Sequence, residues 1–185
     1  MNVLLTSCGF ETKAIEQEFI KMLHKAPSQI KAIFVPTAAI SPDAIEVLPK
    51  CLNDLLKCGI LRENIFVYDL HDTMDVSLSE AYDVIYLCGG DPAYLLRRIR
   101  ERGFDKKLKS FIERGGVVVG VSAGSMIFAD DMPNNLGLLK CALDVHCSKD
   151  ICEKTGQYNL NRTERIRLGN EQAIVFKKDC LSIIE

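Results

Sequence analysis

The chain has no apolar run as long as the roughly 18 residues a membrane-spanning helix needs, which speaks against a membrane protein. It has no basic tract either. Its 185 residues hold 23 Lys plus Arg against 25 Asp plus Glu, a net charge of −2. Phosphate recognition needs a surplus of positive charge, so nucleic acid is not expected as the main partner. The opening residues, Met1-Asn2-Val3-Leu4-Leu5-Thr6, lack the charged and cleavage regions of a secretory signal and read as a first strand. Histidine is scarce, with only His24, His71 and His146 to supply an imidazole base. A soluble, cytoplasmic protein is the expectation.

Cysteine, by contrast, is plentiful, at positions 8, 51, 58, 88, 141, 147, 152 and 180. In a reducing compartment a disulfide framework is the wrong reading. The thiols are then packing, metal ligands or a nucleophile, and most are expected to be packing. The length fits one domain over residues 1–185, and 48% hydrophobic and 26% charged residues are ordinary globular values.

Short apolar runs alternate with longer amphipathic stretches. Strands are expected at 3–6, 30–36, 64–68, 83–87 and 117–121, and helices at 11–25, 43–58, 92–102 and 106–114. Apolar strands without in–out alternation, joined by helices, predict an α/β fold: a parallel sheet with helices on both faces. After Pro133 the chain turns polar, until 172–176 and 180–184 read as two late strands around Lys177-Lys178-Asp179.

The most informative segment is Gly120-Val121-Ser122-Ala123-Gly124, a G-x-S-x-G placed between a buried-type strand and a helical run. A sharp strand-to-helix turn lifts its central side chain clear of the sheet, and small neighbours let strand and helix approach. Ser122 is therefore the candidate nucleophile, and the N–H of Ala123 the first oxyanion donor. The alternative is a serine that merely caps the helix. A second glycine turn, Cys88-Gly89-Gly90-Asp91-Pro92, follows another strand and could supply a second donor, or be a plain turn with Asp91 as cap. For the base, His146 is favoured over His71, and His24 reads as a surface residue.

In order and spacing, Gly89-Gly90-Asp91, the Ser122 turn, Asp131-Met132-Pro133, Leu136-Gly137-Leu138-Leu139 and His146 resemble the aspartyl dipeptidase (peptidase E) and cyanophycinase family of serine peptidases. The resemblance runs from Met1 to about His146. It implies the flavodoxin-like sheet shared with class I glutamine amidotransferases, Ser122 as nucleophile, His146 as general base, and oxyanion donors at Gly90 and Ala123. It also implies a small peptide as substrate, with Asp-Xaa dipeptides the model case, and neither cofactor nor metal; a homodimer is left open. The family's third triad member is a glutamate downstream of the histidine. Here Asn170 falls opposite it, with Glu171 one residue away and Asp131 the next choice. An amide such as Asn170 orienting the ring is the remaining option. The segment after His146 is shorter than in the peptidase compared. Asp91 stands where asparagine is common, and Val145-His146-Cys147 replaces the usual Pro-His-aromatic.

Two other readings belong to different classes. Cys141, His146, Cys147 and Cys152 carry zinc-ligand chemistry, but at a spacing unlike a zinc knuckle. A catalytically degenerate module that binds a small molecule at the same glycine turns is the second. The cluster Arg162, Arg165 and Arg167 could hold an acidic substrate, or be a solvated strand face.

Overall fold

The apolar runs of the first two-thirds form strands β1 (Asn2–Thr6), β2 (Ala32–Val35), β3 (Ile65–Val67), β4 (Val84–Leu87) and β5 (Val117–Val121). They lie parallel in the order β3-β2-β4-β5-β1. The structure is a computed structural model and describes residues 1–72, 81–176 and 180–185. Every residue of β2, β4 and β5 is buried, as strands covered on both faces require.

Alternate side chains feed two cores. Leu4, Phe34, Tyr86, Val119 and Val121 pack with Ile15 and Phe19 of α1 (Lys13–Met22) and with Leu55 of α3 (Leu48–Lys57), while α2 (Pro42–Glu46) buries no residue. Val3, Leu5, Ile33, Val35 and Leu87 pack with Leu95 and Ile99 of α4 (Pro92–Glu101) and with Phe104, Leu108 and Phe111 of α5 (Phe104–Glu113). The expected helix over 43–58 is two helices that meet at Val47. Pro49 explains the break: it has no N–H to continue a helix but fits the first turn of a new one.

The remainder completes the sheet. After the four-residue α6 (Ala123–Met126) come β6 (Leu143–Asp144), β7 (Gly156–Asn159), β8 (Ile166–Arg167), β9 (Ala173–Phe176) and β10 (Cys180–Ile184). Strand β9 adds to β1 in the antiparallel sense, and β10 and β7 follow outward. The sheet is thus mixed rather than wholly parallel. β9 and β10 are separated by three residues, too few for the crossover a parallel pair needs. The Lys177-Lys178-Asp179 connection lies outside the described residues. β6 and β8 form a separate parallel pair with Asp144 opposite Arg167.

One buried carboxylate stands out. Asp54 on α3 is 6% exposed and accepts hydrogen bonds from the Tyr86 hydroxyl (2.6 Å) and the Phe10 N–H (3.1 Å). Burial pushes its pKa up to about 6 against the opposing pull of those two bonds. Among the described residues no helix is long and apolar enough to cross a membrane.

Candidate active site

The turn after β5 is built on close approach. A Cβ on Gly120 would lie 2.4 Å from the Gly124 carbonyl oxygen, and one on Gly124 would lie 2.3 Å from that of Leu87. Only glycine at both positions lets α6 start this close to β4 and β5. Between them Ser122 takes φ 49° and ψ −109°, a conformation that costs a non-glycine residue on the order of 1–3 kcal/mol. Its N–H donates to the Thr6 carbonyl at 3.0 Å, and its own carbonyl accepts from the N–H groups of Ser125 and Met126. The fully buried Ser125 hydroxyl lies 2.8 Å from both the Thr6 and Gly120 carbonyls, tying the turn to β1. The Ala123 N–H opens the helix and so has no partner within it.

The Ser122 hydroxyl meets His146 Nε2 at 2.8 Å. The other ring nitrogen, Nδ1, lies 2.8 Å from Asn170 Oδ1. An amide oxygen only accepts, so this pairing puts the proton on Nδ1 and leaves Nε2 free to accept from the serine. The β6–β8 pair delivers both loops: Leu168 N–H donates to the Asp144 carbonyl and Cys147 N–H to the Leu168 carbonyl, each at 2.9 Å. His146 itself sits at φ 57°, and its backbone N–H donates to the Ser7 hydroxyl at 2.7 Å.

The two carboxylates expected beside the ring are elsewhere. Glu171 pairs with Lys149 at 2.8 Å. Asp131 lies 3.6 Å from Arg165, which makes its closer contact, 2.5 Å, with Asp144. Neighbouring turn residues project differently, and it is Asn170 that faces His146. The arginine cluster is also spoken for. Arg162 is bidentate on Glu153, and Arg167 lies 3.7 Å from Asp144.

The second glycine turn stands beside Ser122. A Cβ on Gly89 would lie 3.3 Å from Ser122 Cβ. Gly90 has φ 138°, and a Cβ there would fall 1.9 Å from the Ala38 carbonyl oxygen. Asp91 caps α4 by accepting from the Tyr94 N–H at 2.8 Å, so the turn serves both as cap and as close backbone approach.

The rival histidines are engaged away from Ser122. His71 contacts Asp69 at 2.5 Å and the Tyr94 hydroxyl. Partial burial works against ionisation of Asp69, but its hydrogen bonds from His71 and Thr37 win and hold its carboxyl below the usual range. His24 meets the Asn2 amide. Cys51, Cys58, Cys88 and Cys141 are buried, and burial drives the Cys88 thiol well up. Among the described residues no three His, Cys, Asp or Glu side chains are placed to hold a metal ion. Ser7 and Ser125 carried no motif that would have singled them out; Ser7 lies in an unremarkable stretch after β1.

Fold and site together define an α/β protein with a nucleophile-elbow turn at the C-terminal edge of its parallel strands. The sequence model of Peptidase family S51 matches residues 3–139, and the chain belongs to that family of peptidases. It is 25% identical to peptidase E of Shigella sonnei over 180 residues, covering 89% of this chain and 76% of that one. The figures for peptidase E of Escherichia coli are the same. Among solved structures it is similar to a candidate peptidase E protein from Listeria monocytogenes EGD-e, with TM-score 0.70, 20% identity and coverage of 98% and 96%. A peptidase from an acI-B1 Actinobacterium gives TM-score 0.60 at 16% identity, covering 98% and 86%.

Proposed function

We propose that the chain is a serine-type peptidase that cleaves small peptides through an acyl-enzyme on Ser122. The observation that carries this is the unbroken line from Ser122 Oγ to His146 to Asn170, with both contacts at 2.8 Å. In this reading His146 Nε2 takes the hydroxyl proton as Oγ attacks the scissile carbonyl. The N–H groups of Gly90 and Ala123 receive the oxyanion, each such donor contributing on the order of 3 kcal/mol to lowering the barrier. His146 returns the proton to the leaving amine. It then takes one from water, which attacks the ester, and returns it to Ser122 Oγ as the acid is released. Asn170 keeps the proton on Nδ1 throughout.

A fluorophosphonate probe tests the nucleophile directly. Labelling at Ser122, absent in Ser122→Ala with an unchanged melt, is expected. Hydrolysis that survives Ser122→Ala would sink the mechanism. The resemblance to aspartyl dipeptidases makes Asp-Xaa dipeptides the first substrates to assay, against a panel of neutral and basic dipeptides. One feature favours a second reading. An amide stands where a carboxylate would stabilise the imidazolium, which is what a binding module descended from an enzyme would show. Folded protein that resists the probe and hydrolyses none of the panel selects that module.

A further inference from the structure

We infer that Ser7 is the positioning residue that holds His146 in register with Ser122. The inference rests on the peptidase reading above and extends it to a residue outside the reacting groups. Ser7 is fully buried at the C-terminal end of β1. Its Oγ accepts the His146 backbone N–H at 2.7 Å and lies 3.4 Å from the Leu168 carbonyl, to which it donates. Its own N–H donates to the Gln172 carbonyl at 3.2 Å. Leu168 and Gln172 flank Asn170. One residue therefore grips the loop that carries the base and both sides of the loop that orients its ring.

The neighbouring residue does the same for the nucleophile. The Thr6 carbonyl accepts from the Ser122 N–H and contacts the Ser125 hydroxyl. The last residue of β1 and the one after it thus fix the two halves of the reacting pair, one through its carbonyl and the next through its side chain. The His146 backbone needs such a hold. A histidine at φ 57° persists only where its surroundings over-determine it. Serine suits the task because one small group must accept from one loop and donate to another. Alanine can do neither, and it would leave the part-buried His146 N–H without this partner.

The test begins with fluorophosphonate labelling of the wild-type protein. Labelling at Ser122 establishes the peptidase reading independently of Ser7; its absence overturns that reading and this inference together. In Ser7→Ala the labelling rate and kcat are expected to fall by roughly 10- to 100-fold, the scale of an ångström's misplacement, while KM stays within about twofold. Ser7→Thr, which keeps the hydroxyl, is expected to recover most of the loss. Labelling of Ser7→Ala at the wild-type rate would overturn the inference and leave the nucleophile standing, as would a loss that appears in KM rather than kcat. Should Ser7→Ala not fold, Ser7→Cys decides. Its larger, weaker sulfur acceptor must displace the His146 loop and slow labelling, and an unchanged rate in that folded variant overturns the proposal.

Discussion

At the scale of single residues, Asn170 limits the proposed chemistry. It orients the imidazole but would offer no negative charge to the imidazolium that this mechanism forms. Asn170→Asp is expected to raise the rate of Ser122 acylation by roughly tenfold, since a carboxylate would stabilise the imidazolium as well as hold the tautomer that Asn170 already holds. Probe kinetics on the two proteins measure it. Because Asn170 is exposed, the melt should hardly move. Asp54 makes a different kind of prediction. Its pKa near 6 in the folded state lies above the unfolded value near 3.8. Its contribution to stability is therefore complete below about pH 4 and is lost as pH rises through 6, by roughly 3 kcal/mol in all. Denaturation midpoints from pH 4 to 8 should show that decline superposed on other titrations. Asp54→Asn, whose amide oxygen can keep both hydrogen bonds, should flatten it. The sequence made Ser122 legible because it sits in a G-x-S-x-G between a strand and a helix, whereas His146 is favoured over His71 without a motif of its own. It could not separate Asn170 from Glu171, because which of two adjacent turn residues faces a ring depends on backbone direction, and spacing carries no record of that.

At the scale of elements, the β5–α6 turn depends on two missing side chains. Gly124→Ala sets a methyl 2.3 Å from the Leu87 carbonyl oxygen, backbone that cannot swing aside. The expected result is a loss of about 1–3 kcal/mol in chemical denaturation, with probe labelling reduced because α6 must lift away from β4. The five parallel strands and α4 and α5 were legible from uninterrupted apolar runs and from Pro92 and Gly103 at their ends. The β6–β8 pair was not. Strands of two residues have no periodicity to read, and β7 is largely exposed, so neither apolar content nor alternation marks it. The β6–β8 pair is what carries His146 and Asn170 to Ser122, which is why Ser122 could be placed from sequence more firmly than its two partners.

At the scale of the whole molecule, the sheet has a graded interior. β1, β4 and β5 are flanked on both sides and covered on both faces, whereas β7 forms an exposed edge. Amide hydrogen exchange should therefore be slowest in peptides from β1, β4 and β5 and fast in 156–159, spanning much of the range between local and global opening. Equal protection across the sheet would contradict this order.

The central place of β1 also sets a timetable. Its neighbours come late in the chain: Leu5 pairs with Gly120 on one side and Ile174 on the other. Contacts so distant along the chain make for slow folding, and they keep an apolar strand waiting without a partner. A growing chain can pair β1 with β5 on one side first, but the other side of β1 stays open until β9 has been made. On the proposed mechanism, a chain truncated before β9 is therefore expected to hydrolyse no dipeptide of the panel.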